Sequence, residues 1–73
     1  MAQLAWTAAA EVAAVMQDME KHLEKLRTDA AECAMISGLA TDKAKRELFA
    51  TLSQHLTTLA EQVEQAIRSA RPG

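Results

Sequence analysis

Along the first half of the chain, apolar residues return at Ala5, Ala9, Val12, Met16, Met19, Leu23, Leu26, Ala30 and Cys33, in steps that alternate four and three. That period holds one stripe of side chains on one side of a helix and is the pattern of a coiled-coil seam. The second half repeats it in Phe49, Leu52, Leu56, Leu59, Val63, Ala66 and Ala70. Punctuation is sparse, with Gly38 near the middle and Pro72 and Gly73 at the end. The pattern therefore predicts a helix over about 3–37, a turn over about 38–41 and a helix over about 42–70, all within one helical-hairpin domain spanning 1–73.

Gly38 is placed to take the left-handed conformation just past a helix end, and Thr41 or Asp42 to cap the next helix. So short a connection makes the two helices antiparallel neighbours. Folding the chain about residues 38–41 makes facing residue numbers add to 78 or 79, which sets Leu23 on Leu56, Leu26 on Leu52, Met19 on Leu59, Met16 on Val63 and Ala30 on Phe49. Val12 with Ala66 and Ala9 with Ala70 then close the far end.

One seam does not use all the apolar surface. Val15, Ile36 and Leu48 flank it on one side, and Trp6, Ala13, Ala34, Ala60 and Ile67 on the other. A stripe wider than a two-helix seam marks helices with more than one neighbour. We therefore expect an all-α fold, an antiparallel hairpin that self-associates into a four-helix bundle as a homodimer, with Val15, Ile36, Leu48 and Ile67 at the interface.

Composition strengthens that expectation. Of 73 residues 49% are hydrophobic, but 16 are alanine, which leaves a thin set of large side chains for a core. At this size, burial at about 25 cal/mol per Å² nearly cancels an ordering cost of about 1.5 kcal/mol per residue, so a covering surface is needed. Eight basic and ten acidic residues give a net charge of −2, and aromatic content is 3%, which argues against a nucleic-acid groove built on basic tracking and stacking. A single cysteine excludes an internal disulfide. Charged and polar residues from Glu11 onward interrupt every apolar run before it reaches membrane-spanning length, and the first ten residues lack the basic start of a secretory signal. The expectation is a cytoplasmic protein with no membrane segment.

Few residues carry candidate chemistry. His22 and His55 are the only histidines, and the 78–79 register sets them one or two positions apart in height, with Asp18 one turn before His22. Such a trio is the chain's candidate metal site. Bundle di-iron sites use Glu-x-x-His, whereas Met19 and Leu52 stand three before these histidines, so the expected reading is two half-exposed histidines and no metal. His22, followed at three residues by Lys25, also has the look of a phosphorelay histidine. Leu26 stands where such motifs keep a small glycine, and Leu56 and Thr57 follow His55 in place of the motif's acidic neighbour and proline. Cys33 falls on the seam opposite Lys45, where a buried cysteine acts as a small hydrophobe, and Met16, Met19 and Met35 read as gap-fillers. Lys43, Lys45 and Arg46 crowd the first turn of the second helix, where the helix dipole disfavours cations. The chain has no glycine-rich phosphate loop, Ser-His-Asp order or Cys-x-x-Cys pair, so neither an enzyme nor a cofactor is expected.

Residues 28–68, through Ala31-Glu32-Cys33, Ala40-Thr41-Asp42, Lys45-Arg46-Glu47-Leu48-Phe49 and Leu59-Ala60-Glu61, resemble short uncharacterised helical-hairpin proteins of alphaproteobacteria. The resemblance implies the hairpin and carries over no activity or site residue. The functional expectation is a non-enzymatic interaction or structural protein that self-associates and docks on a partner protein by helix packing. The alternatives are a phosphorelay accessory using His22 or His55, and a nucleic-acid-binding hairpin dimer.

Overall fold

The computed structural model describes residues 2–70, with side chains from residue 10 onward. Helix α1 runs over Ala2–Leu39 (38 residues) and helix α2 over Lys43–Ala70 (28 residues), and the described residues contain no strand. The helices pack side by side as an antiparallel hairpin with principal extents of 62 × 18 × 13 Å. Among the described residues no helix is long and apolar enough to cross a membrane.

The turn lies later than the glycine signal implies. Gly38 is the penultimate residue of α1, and the Ala40 N–H still donates to the Ile36 carbonyl at 2.9 Å. Asp42, and not Thr41, caps α2. Its Oδ2 accepts from the Lys45 N–H at 2.9 Å, and its carbonyl accepts the first helical bond, from the Arg46 N–H, at 3.0 Å. A side-chain acceptor there satisfies one of the unpaired donors of a helix start.

Moving the turn to residues 40–42 changes the register. The Ser53 Oγ donates to the Ala30 carbonyl at 2.9 Å and the Ser37 Oγ to the Arg46 carbonyl at 2.8 Å, so facing residue numbers add to 83. The expected 78–79 register is thus wrong by about one helical turn: Ala30 faces Ser53 and not Phe49, and Leu23 packs in a cluster with Ala60 and Ile67. The cause is arithmetic. Each residue by which the centre of a turn moves along the chain shifts the facing sum by two.

The inward face of α2 is rotated as well. It consists of Phe49, Ser53, Leu56, Ala60, Val63 and Ile67, still in steps of four and three, while Leu52, Leu59 and Ala66 turn outward. Small Ser53 and Ala60 at the contact let the backbones approach closely enough for a serine hydroxyl to reach across to a carbonyl. Ile67, expected on an outer flank, is 4% exposed and is the most buried large residue of the seam. Leu23, Ala30 and Ala60 are the other buried apolar residues among those described, with Met16, Met19, Leu26 and Val63 half-buried around them. No described side chain is completely buried.

The arms are unequal. In the observed register Ala70, the last described residue of α2, is level with Ala13, so the α1 backbone over 2–12 projects beyond described α2, and Val12 is 62% exposed instead of closing the seam on Ala66. The side chains of Ala5, Trp6 and Ala9, including the expected Ala9–Ala70 contact, lie outside the described residues.

Candidate interaction surface

The seam divides the hairpin into two flanks of different chemistry. On the first, residues that follow the seam carry an ion-pair ladder: Arg27 bonds Glu64 across the helices, and Glu64 Oε1 also accepts from Arg68 at 2.9 Å within α2. Beside it runs an open groove of about 460 Å³, lined by Ala30, Ala31, Ala34, Ala60, Ser53 and Thr57 and ended by Arg27, Glu61 and Glu64. Its hydroxyls are occupied, since Ser53 serves Ala30 and the Thr57 Oγ1 donates to the Ser53 carbonyl at 2.9 Å. What remains is a shallow floor of methyl groups with no nucleophile.

The second flank is apolar along α2. Leu48 is 56% exposed, Leu52 37% and Leu59 46%, and on the same side of α1 Val15 is exposed and Ile36 half-buried. Three of the four expected interface residues, Val15, Ile36 and Leu48, thus lie outside the closed seam, and Ile67 does not. Leu52 and Leu59 lie outside it as well. Met35 and Leu39 extend the exposed apolar surface toward the turn.

The candidate chemical residues do not converge. His22 and His55 are both exposed, and the 83 register sets His55 level with Thr28, six positions from His22 or about 9 Å along the axis at 1.5 Å per residue. The expected proximity of the two is corrected by the same one-turn shift. Asp18 is exposed on α1, and no group of three or more histidine, cysteine, aspartate or glutamate side chains among the described residues is arranged to hold a metal. Cys33 is half-buried and free, level with Ala50 and not with Lys45. Lys43 reaches Glu47 at 3.9 Å, and Lys45 and Arg46 are exposed around the cap at Asp42.

No family model, curated protein or solved structure matches this chain. The reading of function therefore rests on the surface itself. Sequence periodicity missed Leu52 and Leu59 as surface residues because it could not say which of two adjacent stripes of α2 faces α1. A signal was present. The 13 residues Leu48–Ala60 contain no aspartate, glutamate, lysine or arginine, and an uncharged run of that length on a helix with only one intramolecular neighbour leaves an uncharged face outward.

Proposed function

We propose that this protein is a non-enzymatic helical interaction protein, built as a hairpin and completed by self-association, that docks on partner proteins through helix packing. The observation that supports this is the imbalance between the two sides of α2: the inward side supplies Ala60 and Ile67 to a buried core of four apolar residues among those described, while Leu48, Leu52 and Leu59 remain 37–56% exposed. Fully burying an exposed leucine is worth about 1.5–3 kcal/mol, and three leucines that are 37–56% exposed hold a sizeable part of that stabilisation in reserve. Apolar anchors at helical spacing are also what a helix-in-groove contact uses.

Sedimentation equilibrium at micromolar concentration tests the reading. The expected result is twice the chain mass of 7.9 kDa or a higher multiple. A folded, helical species at 7.9 kDa across the accessible concentration range overturns it.

A further inference from the structure

On the reading that the hairpin self-associates, we infer that the second copy binds along α2 by an antiparallel pairing of α2 with itself, about a two-fold axis passing between Ser53 and Gln54. Over the uncharged stretch, the residues facing α1 are Phe49, Ser53, Leu56 and Ala60, and each is preceded by one residue of an outer row, Leu48, Leu52, His55 and Leu59. One residue is about 100° around a helix, so α2 carries two seams with the same four-three-four spacing, of which the hairpin closes one. The outer row is shaped like a seam, and its leucines remain 37–56% exposed in the hairpin.

The sequence of that row identifies its occupant. A two-fold interface must be self-complementary, with each residue facing the one related to it by inversion of the row. Inverting about the point between Ser53 and Gln54 places Leu48 on Leu59 and Leu52 on His55, in both directions at once. Every leucine of the row then meets a large partner. Charge selects the same direction, because α2 is basic where it starts, at Lys43, Lys45 and Arg46, and acidic beyond the uncharged run, at Glu61 and Glu64. Antiparallel pairing brings the basic start of one copy level with the acidic stretch of the other, Arg46 with Glu61, and opposes the helix dipoles. Parallel pairing would set Lys45 beside Lys45.

The competing surface is the flank of α1. Between Val15 and Ile36 that flank carries His22 and Asp29 at its heptad-equivalent positions, so a charge interrupts the row at its centre. Burying an unpaired carboxylate in an interface is costly. The α2 row contains no Asp, Glu, Lys or Arg from Leu48 through Leu59, which makes α2 the side that is covered.

Site-directed cross-linking tests the pairing. In a Cys33→Ala background, Leu52→Cys together with His55→Cys should oxidise to a covalent dimer in high yield, because the axis sets the two positions against each other across the pair. Val15→Cys with Ile36→Cys in the same background should stay uncross-linked. Leu48→Glu, at an exposed position of the hairpin, should abolish the dimer in sedimentation. Should the parent itself sediment as a folded monomer, both this pairing and the self-association reading fall. A parent dimer whose 52/55 cysteine pair stays reduced, or whose 15/36 pair cross-links instead, overturns the α2 pairing alone and leaves self-association standing.

Discussion

Gly38 sits one residue inside the end of α1, not beyond it, and that single placement moves everything downstream. A glycine just past a helical pattern is a strong stop signal when the backbone needs a positive φ. Here the backbone is not left-handed, and nothing lies within 4 Å of where a Cβ would stand. The glycine is used as an ordinary helical residue at the cost of its extra freedom in the unfolded chain. Gly38→Ala is therefore expected to stabilise the hairpin by about 0.4–1 kcal/mol, seen as a rise of several degrees in the melting midpoint. A fall would mean that the residue must leave helical geometry in solution. At Asp42 the sign is opposite, since its carboxylate holds the Lys45 N–H. Asp42→Ala is expected to cost about 0.5–2 kcal/mol in a denaturant titration, and Thr41→Ala much less. Equal losses would contradict the assignment of the cap.

At the scale of the helices, the sequence was informative about what exists and weak about how it faces. Two helices with one short turn follow from the scarcity of glycine and proline and from the long four-three periodicity, and in α1 the stripe Met16, Met19, Leu23, Leu26, Ala30 and Cys33 is the stripe that faces α2. In α2 the periodicity admits two readings one residue apart, because Leu52 and Ser53, Leu59 and Ala60, or Ala66 and Ile67 fill the alternate positions equally well. Hydrophobicity favours the leucines, whereas close approach favours Ser53 and Ala60, and the hairpin takes close approach. A serine in a seam carries no hydrophobic signal, so the bond from Ser53 to Ala30 was not legible. The histidine pair and the Cys33–Lys45 juxtaposition failed with the register from which they were built. Double-mutant cycles read the register in solution. Leu23→Ala and Ile67→Ala each remove part of one cluster and should cost about 2–5 kcal/mol apiece, with a coupling of about 0.5–3 kcal/mol between them. Leu23→Ala with Phe49→Ala, far apart along the seam, should add. Additivity of the first pair would return the helices to the 78–79 register.

For the molecule as a whole, the relevant ratio is between surface and core. A chain whose long dimension is 62 Å and whose shortest is 13 Å has almost no interior, and the four buried apolar residues among those described include two alanines. Chains of this size bury a smaller share of their surface than larger domains and lean on a second body for stability. If α2 supplies that contact, folding and association are one event, and the folded state is favoured by mass action. The melting midpoint should then rise with protein concentration. Each tenfold increase adds about 1.4 kcal/mol per dimer, and a folding unit of twice the chain length responds by about 2–4 °C per kcal/mol, so a shift of roughly 3–6 °C per decade is expected for the parent. Leu48→Glu should lower the midpoint and flatten its dependence on concentration, since the mutation lies outside the intramolecular seam and touches only the contact between copies. A parent midpoint that stays fixed over two decades of concentration is the behaviour of a hairpin stable on its own, and it would remove the thermodynamic reason for placing the exposed leucines at an interface.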